Sequence, residues 1–391
     1  DAWCYNSAKT KLQENIQRSI AFYNSQVDAF QKAKISSPNL KAEDFVTYDS
    51  TKFSWSSTAM AAINRQKKYS FSEESIRYAL YRPFFKQFAY FNRDMVERVC
   101  QIPQLFPTPN TPNRVICISG IGIMKEFSTL ITDIIPDLEI VGKSQCFPLY
   151  YYEAAGGRTH SVRSVAASQT SLSVTEKDDS QQTPENEYVR KDGVSDYILN
   201  EAQSKYADQT NTKEDIFYYV YGFLHSREYR ATFSADLKKI LSRIPLVAKK
   251  EDFLAFSHCG RELAELHLHY EDADPYPGVE VTGTESQNFK VQKMRFKSKE
   301  DKSIIFYNSS ITVSHVPTKA YEYVVNGKSA IEWIMERYAI TTDKASGIVN
   351  DPNAWADEHG NPRYILDLLL SVITVSMKTM EIVESLPRFE C

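Results

Sequence analysis

The sequence predicts an α+β protein of several lobes: an N-terminal helical segment, a central mixed α/β lobe, and a helix-rich C-terminal lobe with a β-sheet. Three observations carry that expectation. Helical apolar spacing runs through residues 7–34 and 364–385, β-like and aromatic runs fill the middle, and the two textures alternate after residue 195. A chain of 391 residues exceeds one average domain. The expected divisions are a helical bridge at 1–69, a first lobe at 70–155, a flexible polar loop at 156–192 and a second lobe at 193–391.

In residues 7–34, Leu12, Ile16, Ile20, Tyr23 and Val27 recur on one helical face, and Pro38 ends the helix. A second helix is expected over 57–68, with Ala59, Met60 and Ile63 inward. Ser75–Tyr81 runs into Pro83 and the aromatic series Phe84, Phe85, Phe88, Tyr90 and Phe91. Proline forbids a helix interior, so a turn and then a strand are expected there. Arg114–Ile118, Glu139–Val141 and Gln145–Tyr152 read as further strands. Residues 156–192 are Ser/Thr/Gln-rich with few large apolar side chains, which reads as a long surface loop.

The helical texture returns at Ser195. Helices are expected at Asp215–His225, Ala235–Leu241 and Asp252–Tyr270, the first two joined by Ser-Arg-Glu-Tyr-Arg. Val279–Ser314 is β-rich, and Lys293, Arg295 and Lys297 alternate with Met294 and Phe296, so the cations would share one strand face. Asn326-Gly327 signals a tight turn. Ser329 and Glu332 form a capping-box pattern for a helix bearing Ile331, Ile334, Met335 and Tyr338 on one face. Tyr364–Ser385 starts apolar nearly all round, as a buried central helix would.

The net charge of −4 gives no global basic signal, although a local basic surface remains compatible with it. Thirteen glycines argue against a Gly-rich nucleotide cradle. The six cysteines form no CxxC pair, so reduced thiols and a cytoplasmic location are expected, with neither disulfides nor a zinc knuckle. Tyr364–Met377 is too short to span a membrane and carries Asp367. Because the chain begins at Asp1 without Met, it reads as a piece of something longer.

Several stretches, in order, are similar to the C-terminal region of Type ISP single-chain restriction-modification enzymes. They include IRYALYRPFFKQFAYF (76–91), QCFPLYYY (145–152), DGVSDYILNEAQSKY (192–206) and KEDIFYYVYGFLHSREYRATFSADLKKILSRIPL (213–246). GRELAELHLHYED (260–272), AIEWIMERYAITTDKASGIVNDPN (330–353) and YILDLLLSVITVSMKTMEIVESLP (364–387) complete the set. The resemblance implies a target-recognition domain that reads double-stranded DNA. Its partners would be the adenine-N6 methyltransferase and helicase-like motor of the same polypeptide, with residues 1–60 bridging to the methyltransferase. S-adenosylmethionine, ATP and Mg2+ would serve the intact enzyme, and none of them this fragment. Two rivals remain: an interaction module that only couples those domains, and an enzyme with an unrecognised site.

The catalytic motifs of such enzymes are missing here. A methyltransferase of this class needs an acidic or amide residue followed by Pro-Pro-aromatic to hold a flipped base. Asp274-Pro275-Tyr276 and Asn361-Pro362-Arg363-Tyr364 each lack the second step. Gly120 and Gly122 are too short a pair for a cofactor loop, and no Walker A pattern occurs.

The candidate DNA contacts are cations and hydroxyls. Lys293, Arg295 and Lys297 could follow phosphates, or form a solvated strand face. Arg158 and Arg163 in the polar loop could enter a groove, or belong to a plain mobile loop. Arg227 and Arg230 could meet phosphate, or staple helix ends. Thr341, Thr342, Lys344 and Ser346 form a polar loop suited to phosphate contact, or a structural turn. Arg82 and Lys86 flank Pro83 and are open to either role. His267 and His269, with His258 and Cys259 nearby, could suggest a metal. Positions two apart on a helix point away from each other, however, so solvated or core histidines are the expectation.

Overall fold

Lys9–Ser36 forms one helix of 28 residues. Its expected stripe is its buried face, with Leu12, Ile16, Tyr23 and Val27 fully sequestered and Phe30 extending the row. No side chain of its own caps the first turn. Glu358, remote in sequence, does so instead, accepting from the backbone N–H groups of Lys9 at 2.9 Å and Thr10 at 3.4 Å. Helix Ser57–Asn64 is opened by Ser56, whose hydroxyl accepts from the Ala59 N–H. It stops short of residue 68 because Gln66 turns to a left-handed φ of 59°. Together with Tyr69 and Trp355 these helices close one core, in which Tyr23 stacks on Tyr69 at 4.0 Å. The computed structural model describes residues 2–155 and 188–388.

Ile76–Arg82 and Phe85–Tyr90 form an antiparallel hairpin turning at Pro83 and Phe84, in register from Ile76↔Tyr90 to Leu80↔Lys86. Short strands Tyr5–Asn6 and Ile135–Pro136 flank it, giving a four-stranded sheet. A second sheet centres on Val115–Ile118, between Thr129–Thr132 and Gln145–Pro148. Glu139–Val141, expected as a strand, is a turn. Gly142 and Lys143 take φ values of 83° and 48°, and the Ser144 N–H returns to the Leu138 carbonyl at 2.7 Å. The expected strand Gln145–Tyr152 breaks at Leu149, and its second half, Tyr150–Ala154, pairs with Tyr188–Asp192. Those last five residues were expected to be polar loop. Cross-strand partners, among them Arg190 over the Tyr150 ring at 4.3 Å, outweigh the polar composition. Residues 156–187, the rest of that loop, lie outside the described residues.

Helix Asp196–Tyr206 leads into Lys213–Phe223, which carries a complete capping box between Thr212 and Asp215. This helix crosses Lys250–Leu268 with backbones in close approach. A Cβ added to Gly260 would sit 1.9 Å from the Tyr218 carbonyl oxygen, and one on Gly222 2.2 Å from that of Phe256. The helix expected at Ala235–Leu241 does not form. Lys239 and Ile240 both bond back to the Asp236 carbonyl, and Leu237 is the one buried side chain there, too little for an apolar stripe. The helix near this place is Arg227–Thr232, which starts inside the segment expected as a connector and is capped by Ser226.

Glu280–Thr282, Thr312–Ser314, Ile305–Phe306 and Arg295–Phe296 lie side by side in that order. The Asn326-Gly327 turn has φ values of 50° and 79°, as a type I′ hairpin requires, and the Ser329–Glu332 capping box is present. Tyr364–Ser385 runs through the largest core, with Leu366, Leu369, Val372 and Ile373 fully buried. No helix among the described residues is long and apolar enough to cross a membrane.

The cores cut across the expected divisions. Ala79 and Leu80 share the core of Ile331 and Leu369. Ile116 and Ile131 instead pack with the helices of residues 213–268. The stretch 70–155 is therefore a shared seam between cores that later parts of the chain complete.

Candidate nucleic-acid interface

The edge strand Arg295–Phe296 separates apolar from charged side chains as its alternation predicts. Met294 is buried and Phe296 half-buried, whereas Lys293, Arg295 and Lys297 are exposed. Lys297 reaches Asp301 at 3.1 Å, and the Arg295 guanidinium lies 5.3 Å from the Phe306 ring. The strand itself is only Arg295–Phe296, shorter than the expected face, so Lys293 and Lys297 lie just outside it. The alternation of exposure nevertheless runs on through both, with Met294 buried and Phe296 half-buried between them.

Beside this edge stands the hairpin of Thr341–Thr342 and Val349–Asn350. The Ile340 N–H donates to the Gln292 carbonyl at 3.0 Å, tying the base of the hairpin to the start of the basic strand. Asn6 donates to the Val349 carbonyl at 3.1 Å, and Asn350 accepts from Gln87 at 2.9 Å. Thr341, Thr342 and Lys344 are exposed. Ser346 is buried, and both its N–H (2.8 Å) and its hydroxyl (2.7 Å) donate to the Asp343 carboxylate, which lowers that carboxyl's pKa. Ser346 thus shapes the turn, while Thr342 and Lys344 are presented to solvent from a hairpin whose base is tied to Gln292.

The other candidates lie elsewhere. Arg82 is largely buried, 2.6 Å from Asp137 and 3.9 Å above the Tyr81 ring. Lys86 pairs with Glu271 at 3.1 Å. Arg227 is exposed but bridges to Glu322 at 3.5 Å and Glu384 at 3.8 Å, clipping its short helix to the end of the last one. Arg230 turns inward. Its Nε donates to the Leu224 carbonyl at 2.6 Å, and burial lowers its pKa to about 10, so it stays cationic at neutral pH. Arg158 and Arg163 lie outside the described residues.

The histidines diverge as the helical spacing predicts. His267 is buried between the Tyr221 hydroxyl at 2.6 Å and Thr379 at 2.9 Å. His269 faces solvent beside Glu265, and exposed His258 sits 3.3 Å from Glu262. Among the described residues no group of three or more His, Cys, Asp or Glu could hold a metal. One proximity is invisible in the sequence: Cys117 and Cys146 are cross-strand partners, both free thiols, with sulfurs 3.8 Å apart.

A sequence profile of the Type ISP C-terminal specificity domain matches residues 1–368. The chain is 37% identical, with a TM-score of 0.81, to a nuclease-deletion mutant of the Type ISP restriction-modification enzyme LlaGI in complex with a DNA substrate mimic, covering all of this chain and 32% of that one. It is 33% identical to the ATP-dependent Type ISP restriction-modification enzyme LlaBIII bound to DNA, also with a TM-score of 0.81, and spans 22% of it. A cryo-EM DrdV–DNA complex is 28% identical with a TM-score of 0.77, and the chain covers 35% of it. The chain thus spans about a third of these enzymes or less. No curated protein matches it. With its whole length folded like one part of each enzyme, this chain belongs to the Type ISP C-terminal specificity domain family.

Proposed function

We propose that this chain reads the sequence of double-stranded DNA for a restriction-modification enzyme. On this reading it positions the target for adenine-N6 methylation, and for ATP-driven translocation and cleavage, by other domains of the same polypeptide. The observation that carries the reading is that all of this chain aligns with DNA-bound Type ISP enzymes at 33–37% identity. The exposed basic edge supports it, because phosphate contacts fix register while side chains at base edges supply specificity.

S-adenosylmethionine, ATP and Mg2+ belong, on this reading, to the other domains. The backbone at Gly120 offers no phosphate cradle: a Cβ there would lie 2.1 Å from the Lys143 carbonyl oxygen, so neighbouring backbone already fills the space. The test is selection from a randomised duplex pool, with the bound fraction sequenced. Enrichment of one short motif is expected. Retention of DNA without any enriched motif would favour a module that couples domains without reading bases.

A further inference from the structure

Gly120 to Lys125 form a loop held at several points by hydrogen bonds, with two apolar side chains left exposed. The Gly120 N–H donates to the Gly142 carbonyl and the Gly122 N–H to the Lys238 carbonyl, each at 2.9 Å. Lys143 reaches the Gly122 carbonyl at 3.3 Å. Lys125 closes the far end, donating to the Asn326 carbonyl at 3.0 Å and its side-chain oxygen at 3.1 Å. Asn326 is itself fixed by the Glu139 carbonyl at 2.9 Å and by the Ser128 hydroxyl at 2.9 Å. On this frame Met124 is 95% exposed and Ile121 52% exposed. The other methionines are buried or half-buried, so Met124 stands apart.

Cations lie beside this tip, where the Lys143 ammonium bonds the Gly122 carbonyl and the Lys238 carbonyl holds the Gly122 N–H, while Glu126 is exposed on the same loop. Lys143, Lys238 and Lys239 are exposed, and among the described residues none of them is ion-paired. Two exposed apolar side chains on a stapled loop, with lysines beside it, suit one ligand better than a flat protein surface. They suit nucleic acid, where lysines meet phosphates and an apolar wedge enters between base steps. A preorganised loop also avoids the ordering cost that a floppy one would meet on binding.

We infer that Met124, supported by Ile121, is an apolar wedge that enters a base step of the bound duplex, with Lys143, Lys238 and Lys239 on the flanking phosphates. This rests on the DNA-reading function proposed above. Wedging is cheapest at pyrimidine–purine steps, which unstack most readily, so the wedge contributes sequence preference through deformability.

The experiment compares the chain with its Met124→Ala and Lys238→Ala/Lys239→Ala variants in selection from a randomised 30-bp duplex pool. Peroxide footprinting of Met124 accompanies it. Met124→Ala should keep its fold, since the side chain packs on nothing, and should lose about tenfold of the preference at one pyrimidine–purine step. The lysine variant should keep the motif and bind all sequences more weakly. The selected duplex should slow oxidation of Met124. A wild-type chain that enriches no motif would overturn the DNA-reading function and the wedge with it. A motif copied unchanged by Met124→Ala, with Met124 oxidised equally fast with and without DNA, would overturn the wedge alone.

Discussion

Two cationic stretches, Lys293–Lys297 and Arg227–Arg230, look alike as sequences and end in opposite environments. The first alternates with Met294 and Phe296, and burying those two forces every cation out to solvent. The second lies on a short helix whose Tyr229 is buried, which leaves Arg227 on the surface and draws Arg230 inward over the Phe127 ring at 5.7 Å. The apolar neighbours, rather than the cations, decide which charge is available to a ligand. A strand sorts its charges cleanly because its period is two; one short helical turn divides them between surface and interior.

The largest expected effect lies on the buried side of this contrast. Arg230→Met should destabilise the fold by about 2 kcal/mol, because the Leu224 carbonyl loses a charge-assisted donor in a half-buried setting. Chemical denaturation would show it. A midpoint equal to wild type would mean that Arg230 is as free as the strand cations.

The neighbouring histidines sharpen the same point through pH. Burial, reinforced by the nearby Arg230 cation, lowers the His267 pKa to about 3, and burial lowers that of His225 as well. In the unfolded chain each histidine would titrate near about 6.5. Below that pH the unfolded state takes up protons that the folded state refuses. Stability is therefore full above about pH 6.5 and falls on acidification below it. His267→Gln should flatten the slope between pH 6.5 and pH 4.5 relative to wild type. An unaltered slope would place the titration elsewhere.

Within the exposed region, Ser346 and Lys344 form a smaller contrast. Ser346→Ala removes the hydroxyl bond to Asp343 and should cost about 1 kcal/mol, whereas Lys344→Ala should leave stability unchanged. Equal effects in thermal unfolding would contradict the division between turn-former and presented cation.

Where local pattern and tertiary need agreed, the fold was legible. The stripe from Leu12 to Val27, the Ser329–Glu332 capping box and the span Tyr364–Ser385 all carry their own signals. It failed where distant partners decided. Tyr188–Asp192 becomes a strand only because Tyr150–Ala154 offers an edge, and Glu139–Val141 curls because Gly142 and Lys143, just after it, go left-handed. Thr129–Thr132 is too short to announce itself, yet all of it is buried. Among the site candidates, alternation with Met294 and Phe296 matched the exposure of Lys293, Arg295 and Lys297, although only Arg295 lies in a strand. Nothing local distinguished Arg82, held by Asp137, or the loop stapled by Lys125 to Asn326, since both partners lie far along the chain.

The most direct test of the DNA-reading account is the salt dependence of duplex binding by the wild-type chain and by the Lys293→Ala/Arg295→Ala/Lys297→Ala variant. The variant's stability should stay within about 0.5 kcal/mol of wild type, because these side chains face solvent. Each phosphate contact contributes about 0.9 to the log–log slope, so losing all three should flatten it by roughly 2–3 units while weakening binding to every sequence alike. An unchanged slope would contradict the account and mean that this basic edge meets no DNA.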